Sequence, residues 1–256
     1  MKRRAVGPVH LILLPGLLCD RAVWAPILPQ LEAGAKCEVA EYSDACGLVA
    51  MADRTLAAAP ATFALAGHSM GGRVALEIVR RAPERVERMA LLSTGFRACP
   101  PGTAGEEERA RRLGLLALAK EKGMREMARE WVKPMVHPSR LADGTLIDAI
   151  LDMFERRTPA HFAAQIEALL ARPDATALLP TIICPTLVLC GGADGWSTPL
   201  QHQEMAALIP DSQLAIVEDC GHMAPMERPD AVAVALLVWI RVPPPQTRSS
   251  HKMMSA

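Results

Sequence analysis

Six short apolar runs mark the chain, at Val9–Leu14, Cys37–Tyr42, Thr62–Ala66, Val86–Leu92, Thr186–Cys190 and Gln213–Val217. Most are apolar at consecutive positions rather than at alternate ones. That is the pattern of parallel strands covered on both faces. Helical patterns separate most of them. Arg73–Arg81 carries Val74, Ala75, Ile78 and Val79 at helix spacing. Thr198 can cap a helix that has Pro199 at its first position and Gln201 three residues on. Asp230–Ile240 is apolar almost all round, which predicts a buried helix. Strands alternating with helices predict an α/β fold, a doubly wound parallel sheet.

The interval from about 97 to 174 breaks this rhythm, because it holds no strand candidate. It carries amphipathic patterns at Glu106–Lys122, Met124–Val132, Thr145–Arg157 and Pro159–Ala171. In the third, Leu146, Ile147, Ile150, Leu151 and Phe154 share one face. Thr158-Pro159 is a start signal for the fourth. One crossover does not need four helices, so the segment reads as an inserted helical lid. The expected organisation is a core of residues 1–96 and 175–241, a lid of residues 97–174, and a disordered tail over residues 242–256 that begins with three prolines.

Composition narrows the partners. Twenty-eight basic residues balance twenty-eight acidic ones, so there is no charge excess for nucleic acid. Aromatic residues make up only 4%, too few for a base-stacking platform. No apolar run approaches the roughly 20 residues that cross a bilayer. The run after Lys2-Arg3-Arg4 is broken by Pro15 and Gly16, which suits a strand and tight turn better than a secretory signal. Seven cysteines, odd in number and without a CxxC pair, read as small apolar residues in a reducing cytoplasm rather than a disulfide framework or zinc site.

The chemistry gathers in one short stretch. Gly67-His68-Ser69-Met70-Gly71 fits G-x-S-x-G, placed directly after a predicted strand and before a predicted helix. A sharp turn there exposes the serine hydroxyl at a helix N-terminus, and side chains at Gly67 and Gly71 would clash with the crossing segments. Serine is a weak nucleophile and needs a base. His222, just after the last predicted strand, shares the carboxyl edge of the sheet with Ser69. His68 reads as packing, and His10, His137, His161, His202 and His251 have no comparable placement. Asp194 follows the strand Thr186–Cys190 and is the expected acid. Asp211 precedes a strand, and Asp219 is tied to the His222 loop. Backbone N–H groups of Met70 and Leu17 are the expected oxyanion donors. Leu17, Leu18 and Met70 are the expected pocket residues.

With these pieces in place, the chain resembles the α/β-hydrolase superfamily over residues 9 to 241. The resemblance rests on Pro15-Gly16-Leu17, Gly67-His68-Ser69-Met70-Gly71-Gly72, Gly191-Gly192-Ala193-Asp194, and Gly221-His222 with Glu227 and Pro229. It is most similar to the lidded bacterial branch of esterases, enol-lactonases and acyl-homoserine-lactone hydrolases. Only eight residues precede Val9, so the two strands that usually come first in the family should be missing, leaving six. The Gly-Pro-Gly extension usual in ring-cleavage hydrolases is missing from "GLLCD", which ranks carbon–carbon cleavage lower. The resemblance implies a serine hydrolase acting on a carboxylic ester or lactone, and a lid face rich in Leu, Met, Ile and Phe points to an apolar acyl or leaving group. It implies no cofactor and no metal. Acyl transfer to an alcohol or peroxide, or a weakly catalytic receptor, remain the alternatives, and the oligomeric state is open.

Overall fold

The computed structural model describes residues 9–42 and 45–242. Beyond its first residue, the expected tail lies outside the described residues. Six parallel strands form one sheet in the order β2-β1-β3-β4-β5-β6. They are β1 (Val9–Leu14), β2 (Ala35–Val39), β3 (Phe63–His68), β4 (Val86–Leu92), β5 (Thr186–Gly191) and β6 (Ser212–Val217). The helices in chain order are α1 (Leu28–Leu31), α2 (Leu48–Ala58), α3 (Met70–Arg81), α4 (Thr103–Lys122), α5 (Met124–Trp131), α6 (Gly144–Glu155), α7 (Pro159–Leu170), α8 (Pro199–Leu208), α9 (Ala224–Glu227) and α10 (Pro229–Ile240).

The burial pattern explains the consecutive apolar runs. Every residue of β3 and β5 is buried, because helices cover both faces of the central strands. The edge strands β2 and β6 are half-exposed. From β1 the chain moves outward to β2, then returns across β1 to β3 and on to β6. Right-handed crossovers therefore switch faces at β1. Accordingly α1 packs against α10, and α2 packs against α3. The switch opens a crevice at the carboxyl ends of β1 and β3, where ligands bind in such sheets.

Sequence and structure differ at two places with clear causes. The second strand ends at Val39, not Tyr42, because its ladder with β1 runs from Val9↔Ala35 to Leu13↔Val39. Tyr42 leaves the sheet, and its buried hydroxyl donates to the Pro15 carbonyl at 3.2 Å. The helix α10 is not buried all round. Val232, Ala233, Leu236 and Trp239 face the core, while Val234 and Val238 are more than half exposed. All-apolar composition hides which side packs.

Four helices, α4 to α7, lie between β4 and β5. The Thr158 hydroxyl accepts from His161 N–H at the start of α7, and the Thr198 hydroxyl accepts from Gln201 N–H at the start of α8. Each side-chain cap satisfies an N–H that the helix leaves without a partner.

An arginine inside β4 closes the other end of the fold. Arg88 is only 4% exposed, and its guanidinium donates to the carbonyls of Trp239, Ile240 and Val242. It thus satisfies carbonyls that the last turn of α10 leaves open. Arg88→Met should leave these carbonyls without donors and cost about 2–4 kcal/mol of stability. Urea denaturation checks this, and a midpoint equal to wild type would refute it.

Candidate active site

The turn between β3 and α3 is tight. Ser69 has φ 55° and ψ −118°, a left-handed conformation that a residue with a side chain rarely adopts. The surrounding glycines make it possible. A Cβ on Gly67 would lie 2.4 Å from the Gly71 carbonyl oxygen, and one on Gly71 would lie 2.1 Å from the Leu14 carbonyl oxygen. One on Gly72 would strike the Thr94 side chain at 2.5 Å. β3, α3 and the end of β1 therefore approach closely enough to lift Ser69 into the crevice.

Two loops from distant parts of the chain meet Ser69 there. His222 Nε2 lies 2.9 Å from Ser69 Oγ, and His222 Nδ1 lies 2.9 Å from Asp194 Oδ2. The other Asp194 oxygen accepts from the N–H groups of Trp196 and Ser197 at 3.0 and 2.9 Å. Burial pushes the Asp194 pKa up, but the His222 charge and these hydrogen bonds outweigh it and bring it down to about 2. The carboxylate is thus ionised at neutral pH. Asp219 is instead on the surface, in an ion pair with Arg228 at 3.2 Å. Asp211 sits at the opposite edge, where its carbonyl accepts from Thr186 N–H at the start of β5.

The loop after β1 forms the facing wall. Among the described residues, neither Leu17 N–H nor Met70 N–H has a hydrogen-bond acceptor. Leu18 N–H is taken by Gln165 Oε1 at 2.8 Å. Leu17 and Met70 line the cavity. Leu18 does not. Its left-handed backbone, φ 60°, turns the side chain into the core, where it is fully buried. Cys19 also borders the cavity, but burial pushes its thiol up to about 12, so it stays a neutral apolar wall.

The cavity over Ser69 measures about 940 Å3. The inserted segment contributes Leu115, Leu118, Trp131, Phe154 and Leu169 to its lining. The Trp196 ring stands 4.9 Å from the His222 ring and 5.7 Å from the Trp131 ring, and Trp131 in turn meets Phe154 and Phe162. Much of the chain's small aromatic complement is gathered here.

Several further residues hold this geometry, and all but Glu227 carry no local sequence signal. Gln165, Arg156 and Arg157 reach from the α6–α7 region to the loop after β1. They bind Leu18 N–H, the Asp20 carboxylate and the Cys19 carbonyl. Buried Glu227 accepts from Gly221, Met223 and His137 N–H groups, and the Met135 carbonyl accepts from His222 N–H at 2.7 Å. His202, given no role by its sequence position, accepts from Thr94 N–H, and Thr94 Oγ1 donates to the Ser69 carbonyl at 2.7 Å. His68 does more than pack, since its Nε2–H donates to the His222 carbonyl at 2.8 Å. The signal available for Glu227 was its spacing after His222, whereas the others depend on long-range contacts.

Burial, reinforced by the nearby His222 charge, pulls the His68 pKa from 6.5 down to about 3. The folded state keeps the ring neutral while the unfolded chain protonates it near 6.5. Its stabilising effect is complete above pH 6.5 and is lost as pH falls toward 3. His202, lowered mainly by burial, acts in the same direction. Unfolding free energy should therefore drop below pH 6.5, by up to about 1.4 kcal/mol per pH unit for each such ring. Urea titrations between pH 7 and 5 should show a shallower slope for His68→Gln, and parallel slopes would contradict this reading.

Comparison with known proteins agrees with the fold. A profile of the alpha/beta hydrolase family matches residues 8–235. A pimeloyl-[acyl-carrier protein] methyl ester esterase of Aromatoleum aromaticum is 28% identical over 244 residues, covering 88% of this chain and 96% of the relative. A thermophilic esterase from Thermogutta terrifontis superposes with a TM-score of 0.80 at 28% identity, covering 91% of this chain and 89% of that one. The enol-lactonase of Burkholderia xenovorans LB400 shares the fold, with a TM-score of 0.80 at 22% identity and 93% coverage of both chains. With a strained serine turn at the switch point of a six-stranded parallel sheet and a family match over most of its length, the chain belongs to the alpha/beta hydrolase family.

Proposed function

We propose that this enzyme is a serine hydrolase that cleaves a carboxylic ester or lactone through an acyl-enzyme on Ser69. The observation that carries this is the unbroken chain Ser69 Oγ–His222–Asp194, with both contacts at 2.9 Å. Relatives named as esterases support the ester bond.

In this mechanism Ser69 Oγ attacks the substrate carbonyl while His222 Nε2 takes the hydroxyl proton. Ionised Asp194 fixes the tautomer, with the proton on Nδ1, and stabilises the imidazolium. The tetrahedral oxyanion forms beside Leu17 and Met70 N–H groups, which have no competing acceptor among the described residues. Expulsion of the alkoxide takes the proton back from His222. Water, deprotonated by the same ring, then attacks the acyl-enzyme, and Ser69 regains its proton as the acid leaves. The bracing of the Leu17 loop by Gln165 keeps the donors oriented before substrate arrives. The helices α4 to α7 act as a lid that supplies an apolar wall for the acyl or alcohol portion and limits water.

Replacing Asp194 with Asn keeps the shape but removes the charge and favours the wrong tautomer. Turnover of a methyl or aryl ester should fall by about 10²–10⁴, equivalent to roughly 3–5 kcal/mol of barrier. Asp219→Asn should stay within a few-fold of wild type. Steady-state kinetics of both variants decides. An active Asp194→Asn beside an inactive Asp219→Asn would transfer the acid role to the His222 loop.

A further inference from the structure

The cavity over Ser69 is apolar on one side and cationic on another. Arg73 lies on α3 one turn beyond the nucleophile, and side chains on a helix lean back toward its N-terminus. It is half-buried and lines the cavity together with Thr94, Gly95, Arg97 and Arg172. Its guanidinium lies 2.7 Å from where a Cβ on Gly95 would stand, so a side chain there would push it aside. One nitrogen donates to the Arg97 carbonyl at 2.9 Å. Among the described residues, no carboxylate pairs with it.

The neighbouring charges do not supply that partner. Glu108 is engaged by Arg172 at 2.7 Å and by Arg112 at 2.9 Å. Asp174 accepts from Ala98 and Thr176 N–H groups. Arg97 is matched by Glu204 at 2.8 Å. Arg73, Arg112 and Arg172 thus face Glu108 and Asp174, which leaves one positive charge over. Burial, then the nearby Arg172 charge, pulls the Arg73 pKa down to about 9, and the Glu108 and Asp174 charges offset this only in part. It still carries its charge at neutral pH. Taking a guanidinium from water into a protein wall is costly unless an anion meets it there.

We propose that Arg73 is a specificity-determining residue that receives a carboxylate of the substrate, so that the enzyme prefers esters or lactones bearing a second, ionised acid group. The single excess charge suits a carboxylate. A phosphate dianion would leave the wall net negative. The planar fork of arginine matches a carboxylate with two parallel hydrogen bonds. The apolar lining then spans the chain between the two acyl ends. This rests on the hydrolase reading for the position of the reacting carbonyl at Ser69, but the anion contact itself does not.

Two measurements on the full chain separate these dependencies. The first compares kcat/KM for monomethyl esters of five- to eight-carbon dicarboxylic acids with methyl esters of the matching monocarboxylic acids. Wild type should favour the charged series by about 10–100-fold, and Arg73→Met should lose that preference while retaining turnover of the neutral series. The second measures binding of glutarate, adipate and inorganic phosphate by calorimetry. A dicarboxylate should bind wild type and bind Arg73→Met at least tenfold more weakly, with phosphate weak on both. Binding with this pattern but no hydrolysis of either series would uphold the anion site and overturn the ester reading. Equal loss on charged and neutral esters, or dicarboxylate binding indifferent to Arg73, would make Arg73 a brace for the loop after β4 and overturn the proposal.

Discussion

The structure depends on the close crossing of β3, α3 and the end of β1. Gly67 and Gly71 remove the side chains that would keep these segments apart, Gly72 makes room for Thr94 after β4, and the backbone of Ser69 absorbs the resulting strain. Such a conformation costs of order 1–3 kcal/mol and persists only when its surroundings enforce it. Enforcement comes from the fully buried β3 on one side and from Thr94, which donates to the Ser69 carbonyl, on the other. Thr94 is itself held through its N–H by His202. The turn leaves the Ser69 hydroxyl in the crevice and the Met70 N–H without an acceptor among the described residues.

Every other part of the site is brought to the same edge by parallel topology. Leu17 follows β1, Ser69 follows β3, Asp194 follows β5 and His222 follows β6. Loops alone would hold such groups loosely. Here the inserted segment ties two of them down: Gln165, Arg156 and Arg157 grip the loop after β1, and Met135 and His137 anchor the His222 loop directly and through Glu227. The segment over the cavity is therefore also a scaffold for it.

Much of this was legible from local pattern. Consecutive apolar runs located the strands because both faces of a parallel sheet are covered. Strand-turn-helix context around Gly67–Gly71 located the elbow because its glycines answer a local steric demand. Asp194 and His222 followed from strand ends. What remained hidden depends on partners far away in the chain. Gln165 meets Leu18 across 147 residues, and His202 meets Thr94 across 108. Leu18 looked like its neighbour Leu17 until the left-handed turn separated them, and Asp230–Ile240 could not reveal its exposed side because nearly every residue in it is apolar. Arg73 was visible as a residue of α3, but its lack of a counter-ion emerges only when the α4, α7 and β4-loop charges are placed around it.

The central claim is that the strained turn presents Ser69 as the nucleophile. The most direct measurement is rapid acid quench of the enzyme with a p-nitrophenyl ester, followed by peptide mass mapping of the trapped protein. The account predicts a burst of p-nitrophenol approaching one equivalent and an acyl mass on the peptide containing Ser69, both absent in Ser69→Ala. An acyl mass on another residue, or full turnover by Ser69→Ala, would contradict it.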